Sequence, residues 1–118
     1  MSNITESLES LLTVDGATSA ALVDSGSGML LGGVGSGLDL DIAAAGNTEV
    51  VRAKLKTIKS LGLTDTIDDI LITLSGQYHV IRLLPGGSLF LYLALDRSRA
   101  NLALARHELR RIGATLEV

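Results

Sequence analysis

Apolar residues recur every three or four positions in three stretches of the chain. This spacing places them on one face of a helix, because an α-helix has 3.6 residues per turn. The predicted helices span residues 3–14, 39–61 and 98–116. The middle one is the longest, and its apolar stripe has one polar interruption. The stripe consists of Leu40, Ala44, Asn47, Val51, Leu55 and Ile58.

Capping residues stand at the predicted helix ends. Asn3 or Thr5 can cap the first helix, and Asp39 or Asp41 can cap the long one, because their side-chain oxygens can accept hydrogen bonds from the first free amides. Gly62 follows the long helix and can adopt the left-handed conformation that ends many helices. These residues predict where the chain changes from loop to helix and back.

Five short apolar runs predict β-strands, separated by glycine-rich and serine-rich turns. The runs cover residues 19–24, 29–33, 67–75, 77–84 and 88–96. The last run is apolar at almost every position from Leu89 to Leu95. A strand of this kind is covered on both faces, so we expect it at the centre of the sheet.

The order of elements is therefore α-β-β-α-β-β-β-α. It predicts an α+β, profilin-like fold: a five-stranded, mostly antiparallel sheet with helices on both faces. The 118 residues suit one domain covering residues 1–118. With 47% hydrophobic and 19% charged residues, the chain has enough apolar surface to fold.

Composition excludes several function classes. There is no cysteine, so thiol nucleophiles, disulfides and thiolate metal sites are absent, and two histidines are too few for an ordinary zinc site. A net charge of −3 and three aromatic residues do not favour nucleic acid. No apolar run is long enough to span a membrane, and the first residues lack a basic signal-peptide region. We expect a cytoplasmic protein without cofactor, metal or nucleic acid.

The sequence GGVGSGLDLDIAAAG, residues 32–46, raises the question of nucleotide binding, because glycine-rich loops before helices often hold phosphates. A Walker A motif would need Lys and then Ser or Thr after its last glycine, but Leu38 and Asp39 follow Gly37. The glycine spacing also fails the dinucleotide pattern. Asp39 and Asp41 would repel a phosphate. We therefore expect a flexible link whose aspartates cap the long helix.

Two further groups of polar residues have ordinary structural explanations. Asp65, Asp68 and Asp69 could suggest a cation site, but Asp68 and Asp69 are adjacent on a predicted strand and point to opposite faces. We expect solvated side chains where that strand begins. Tyr78 and His79 also alternate between faces, so His79 is expected to be a surface or interface residue. No catalytic residue is predicted.

Basic residues are concentrated on two helices, although the chain is acidic overall. Seven of the ten lie there: Arg52, Lys54, Lys56, Lys59, Arg106, Arg110 and Arg111. They can be ordinary solvated residues, some of them favoured by the helix dipole, or they can form a docking surface for an acidic protein partner. The residues alone leave both interpretations open.

The sequence resembles the roadblock/dynein light chain family, in particular its bacterial MglB-like branch. The segment LDRSRANLALARHELRR, residues 95–111, is similar to the final strand and helix of the family. ALVDSGSG at residues 21–28 resembles its first hairpin, and residues 68–96 resemble its three-stranded meander. Two features differ. The turn at residues 25–28 lacks the family's Asp-Gly followed by proline, and the link to the long helix is richer in glycine.

The resemblance implies a homodimer joined through residues 39–61 and the edge strand at residues 67–74. The interface residues would be Val51, Leu55, Ile58, Ile70 and Ile72. It also implies a non-enzymatic role, because members bind small Ras-like GTPases, and MglB-type dimers accelerate GTP hydrolysis by repositioning the GTPase's own residues. Candidate contacts are Arg52, Lys56 and Lys59. A histidine-kinase-like signalling protein is a further possible partner.

Two alternatives stay open at this point. The protein could be a structural adaptor that assembles a larger signalling or motor complex without affecting nucleotide turnover. It could also sense a small ligand, as some profilin-like folds do, although the dense aliphatic strands favour a filled core.

Overall fold

The computed structural model describes residues 2–118 and contains three helices and five strands in the predicted order. In chain order they are α1 (Ile4–Leu12), β1 (Ala17–Asp24), β2 (Leu30–Gly35), α2 (Leu40–Ser60), β3 (Asp69–Thr73), β4 (Gln77–Leu83), β5 (Leu89–Asp96) and α3 (Leu102–Thr115). Among the described residues, no helix is both long and apolar enough to cross a bilayer.

The five strands form one antiparallel sheet in the order β2-β1-β5-β4-β3. β5 is central, as its continuous apolar run predicts, and every residue from Phe90 to Leu95 is buried. β2 and β3 are the two edges. A strand edge leaves backbone hydrogen-bonding groups unpaired, so both edges are places where another chain could add a strand.

Helices cover both faces of the sheet, which confirms the predicted α+β fold. α1 and α3 pack on one face through a cluster that includes Leu8, Leu11, Leu22, Leu93, Leu109 and Ile112. α2 packs on the other face through a second cluster, which includes Ala21, Ala44, Val51, Ile81, Phe90 and Tyr92. α2 lies chiefly over β1 and β2, so the β3 side of this face is less covered.

Both predicted caps of α2 are confirmed. The carboxylate of Asp39 accepts hydrogen bonds from the amides of Asp41 at 3.1 Å and Ile42 at 3.2 Å. Gly62 has φ +72°, its amide donates to the carbonyl of Lys59, and the next amide donates to the carbonyl of Ile58. This pair of bonds is the Schellman motif, which satisfies carbonyls at the helix end.

The side-chain cap predicted for the start of α1 does not form. The Asn3 side chain makes no capping bond to α1. Its amide group donates to the carbonyl of Thr115 at 3.0 Å, and its side-chain oxygen accepts from the amide of Glu117. Asn3 therefore joins the N-terminal segment to the end of α3, a contact between residues more than a hundred positions apart.

The glycine-rich stretch is more ordered than a flexible link. Residues 32–35 belong to β2, in a register that places Gly33 opposite Ala21 and Gly35 opposite Ser19. The connection to α2 is therefore only residues 36–39. β3 is shorter than predicted and begins at Asp69. The hydrogen-bonding partners on β1 and β4 set these limits, and the local apolar pattern does not contain that information.

Candidate functional site

A groove runs between α2 and the edge strand β3, on the face of the sheet that α2 only partly covers. Its lining includes Val50, Lys54, Ile67, Ile70 and Arg106. The cavity measures about 490 Å³. We call it the β3 groove. Val50 is 38% exposed, although valine is usually buried, so the groove presents apolar surface to solvent.

The five predicted interface residues occupy different environments. Val51 has no exposed surface and packs in the core of its own chain, so it cannot contact a partner. Ile70 and Ile72 are half-buried on the α2 side of β3. Leu55 is 40% exposed and lies near the β4–β5 turn, while Ile58 is half-buried.

Val50 is the groove residue that the sequence pattern missed. It lies one position before Val51, which rotates its side chain about 100° around the helix from the buried stripe. The sequence did contain a sign of this exposed apolar surface, namely a valine outside the apolar stripe of α2. The exposed apolar surface of the groove therefore comes from Val50 rather than from Val51.

The three predicted contact residues share one face of α2, because Arg52, Lys56 and Lys59 stand at positions i, i+4 and i+7. All three are exposed. Arg52 donates to the carbonyl of Gly26 and lies 3.9 Å from Glu49. Within residues 2–118, neither lysine has a carboxylate within ion-pair distance. The lysines are thus available to an external acidic group.

Two arginines of α3 are engaged within the chain. Arg106 makes a two-point contact with Asp69, at 2.8 and 3.0 Å, and this hydrogen bonding raises the pKa of the guanidinium. Arg111 binds Glu108 at 2.7 Å, and its hydrogen bond lowers the pKa of that carboxyl. The prediction of a solvated Asp69 is therefore wrong: its side chain is only 12% exposed.

His79 belongs to a polar network on the α2 side of the sheet. Its Nδ1 lies 3.0 Å from the Tyr92 hydroxyl, and its Nε2 lies 2.8 Å from Gln77 Oε1. These distances suit a neutral ring that accepts from Tyr92 and donates to Gln77. The network therefore joins β4 to β5, and the Asn47 side chain on α2 donates a hydrogen bond to the carbonyl of Ala43.

The His79 network predicts a decline in stability at mildly acidic pH. Burial lowers the pKa of His79 below its ordinary value of 6.5. The unfolded chain therefore binds a proton on His79 at a higher pH than the folded chain does. As a result, the free energy of unfolding falls as the pH drops below about 6.5. We expect His79→Gln to reduce this pH dependence in urea unfolding between pH 5 and 8.

His107 offers the matched control for this measurement, because it is exposed on α3. His107→Gln removes no contact of the His79 network, so we expect a smaller change of slope than in His79→Gln. An equal change of slope in both variants would contradict the role assigned to the His79 network.

The region before α2 presents a carboxylate to any incoming anion. The Asp39 side chain occupies the amides of Asp41 and Ile42, which are donors that a phosphate at a helix N-terminus would use. Among residues 2–118, no three His, Asp or Glu side chains are grouped so that they could hold a metal ion.

Comparison with solved structures identifies the fold. Myxococcus xanthus MglB superposes with a TM-score of 0.83 at 18% identity, over 94% of this chain and 89% of that one. MglB in a tetrameric arrangement gives 0.83 at 22% identity, over 96% and 84%. A Roadblock/LC7 domain from Streptomyces avermitilis gives 0.82 at 16% identity, over 93% and 91%.

At the level of sequence, no protein-family model matches the chain, and no curated protein matches it significantly. The structural similarity establishes a common architecture, but at identities of 16–22% it does not establish the role of individual residues. The structural likeness nevertheless extends over nearly the full length of the chain. The chain therefore has the Roadblock/LC7 fold, which it shares with MglB.

Proposed function

We propose that this protein is a non-enzymatic, dimeric regulator of a small Ras-like GTPase. The observation that carries the proposal is the likeness to two MglB structures over 94–96% of the chain. MglB-type proteins, which the sequence also resembles, act on such GTPases as dimers. The chain's own potential phosphate-binding amides are occupied by Asp39, so in this proposal the partner binds the nucleotide.

The proposed dimer joins two copies through the β3 groove and the β3 edge. Two antiparallel β3 strands, paired across a two-fold axis, would merge two five-stranded sheets and remove one free edge from each. Val50, Ile70 and Ile72 would lie in or beside the interface. One of the similar solved structures is described as a tetrameric arrangement, so association between copies occurs among proteins of this fold.

The proposed GTPase contact is the basic face of α2, formed by Arg52, Lys56 and Lys59. Arg52 is held by Gly26 and Glu49, whereas the two lysines have no carboxylate partner within the described chain. Exposed charges of this kind contribute mainly to the rate of encounter and to specificity. The surface suits an acidic patch on the partner.

Charge reversal on this face is expected to weaken GTPase binding. We predict that the double variant Lys56→Glu/Lys59→Glu lowers the affinity for a cognate GTPase by about tenfold or more, because two attractive contacts become repulsive. Purified small GTPases from the same organism, loaded with GTP or GDP, would be titrated against the protein. GTP turnover would be measured in the same samples.

A charge-matched control is available on other parts of the surface. Arg99→Glu/Arg110→Glu changes the net charge equally at two exposed positions outside α2. It should retain binding within about twofold. Absence of binding by every GTPase tested would contradict the proposal. Equal binding of the GTP and GDP forms, with turnover unchanged, would instead indicate a structural adaptor.

A further inference from the structure

The second edge of the sheet, strand β2, is unusually open. Natural edge strands are commonly protected by lysine, proline or a covering element. Residues 25–38, which include all of β2, contain no charged residue and no proline. Met29 is 65% exposed and Leu31 is 40% exposed. β2 therefore presents an apolar, unprotected edge.

The backbone of β2 is accessible because three of its six residues are glycine. The amide of Ser36 donates a hydrogen bond to the carbonyl of Thr18. This bond shows which residues of β2 direct their backbone groups toward β1 and which direct them away from it. In an antiparallel pair, successive residues turn their backbone groups to opposite sides. Gly32 and Val34 then face β1, and the amide and carbonyl of Gly33 face outward. An added strand could bind these groups without displacing a side chain.

The charge around this edge is of one sign. Residues 1–51 contain seven acidic residues and no lysine, arginine or histidine. They form α1, β1, β2 and the first half of α2. Residues 52–118 contain all ten basic residues and the other six acidic ones. The first basic residue, Arg52, reaches the β1–β2 turn but is also near Glu49.

This asymmetry decides between the possible occupants of the β2 edge. A second copy of the chain paired β2 to β2 would bring two acidic regions together, which is unfavourable. Pairing of β2 with β3 of another copy would use the edge assigned above to the dimer. The remaining candidate is an extended segment of another protein, with apolar residues at alternate positions and basic residues at its ends. Such a segment is not repelled by the acidic region, and it leaves the β3 edge free for the dimer.

We propose that the free edge of β2 is a docking site for an extended segment of a partner protein that carries lysine or arginine. The segment adds to the sheet as a sixth strand, next to β2. Backbone hydrogen bonds to the β2 edge hold it in register, the apolar surface of Met29 and Leu31 packs against it, and the acidic residues around the edge attract its basic ends.

The test uses a fluorescent synthetic peptide of ten residues with alternating valine and threonine and two lysines at each end. One twin has glutamate in place of lysine, and another has two central prolines. We expect the lysine peptide to bind the full-length protein about tenfold more tightly than either twin. Amide NMR shifts should concentrate at residues 30–35, and binding should weaken as salt is raised.

The protein variants Leu31→Lys and Leu104→Lys form a matched pair, because both leucines are 40% exposed but only Leu31 is on β2. Leu31→Lys should weaken the lysine peptide about tenfold, and Leu104→Lys should leave it within twofold. Similar binding of the glutamate peptide, or of the Leu31→Lys protein, would overturn the proposal. A lower oligomer mass for Leu31→Lys would also overturn it, by showing that β2 joins copies of the chain.

Discussion

Replacement of Gly35 by alanine is expected to lower the free energy of unfolding by about 3–5 kcal/mol. Gly35 ends β2 with φ +97°, a conformation that side chains rarely adopt. A Cβ atom there would lie 2.3 Å from the carbonyl oxygen of Thr18 and 2.6 Å from Cα of Ser19. Both are backbone atoms of β1, which is held between β2 and the central β5. They cannot move away without breaking the sheet.

Gly37 is the control that separates the cost of backbone strain at positive φ from the cost of a close contact with β1. Its φ is +93°, but a Cβ atom there would meet no other atom within 4 Å. Gly37→Ala should therefore cost only the conformational strain, about 1–2 kcal/mol. Urea unfolding followed by circular dichroism measures both variants. Equal losses would contradict the role given to the contact between Gly35 and β1.

This pair also gives the glycine-rich sequence its structural explanation. The motif fails as a phosphate-binding loop, and part of its glycine content is required by the packing of two strands. The caps of α2 and the mismatch with the nucleotide motifs could be predicted, because both depend on residues near each other in the chain. The strand predicted over residues 29–33 in fact continues to Gly35, and this extension was not predicted because it depends on pairing with β1.

The same distinction explains which parts of the candidate site were predictable. The periodicity of α2 predicted its length and its buried face. The stripe continues to Leu55 and Ile58, but complete burial in α2 ends at Val51. The C-terminal part of α2 therefore extends beyond the part of the sheet against which the helix packs. The extent of that surface is set by strands distant in sequence, so no helical pattern could reveal where burial stops.

Polar contacts between distant residues were the least predictable. His79 and Tyr92 meet because β4 and β5 pair in a particular register. Asp69 meets Arg106 because the long arginine side chain reaches from α3 to the start of β3. From their sequence neighbours, Asp69 was expected to be solvated and His79 to be a surface or interface residue, and no partner was predicted for Tyr92 or Arg106. The network and the ion pair belong to the assembled sheet and helices.

Val50→Glu is expected to convert the proposed dimer into monomers. Val50 is 38% exposed at the β3 groove, where the second copy would cover it. Covering a glutamate there would remove its carboxylate from water, a cost that pairing with the neighbouring Lys54 often does not repay. Light scattering coupled to size-exclusion chromatography should give twice the chain mass of 12.3 kDa for the unmodified protein and 12.3 kDa for the variant. Because Val50 is partly solvated within its own chain, the monomer should remain folded.

Leu104→Glu is the matched control, since Leu104 is 40% exposed on α3, away from the groove. Ile72→Glu tests the same interface from the strand side, but Ile72 also packs in the core of its own chain, so loss of folding would obscure its effect. A dimeric Val50→Glu protein would place the interface elsewhere. A monomeric Val50→Glu protein that still binds the lysine peptide at β2 would show that the two edges of the sheet act independently, one joining copies of the chain and the other binding a different protein.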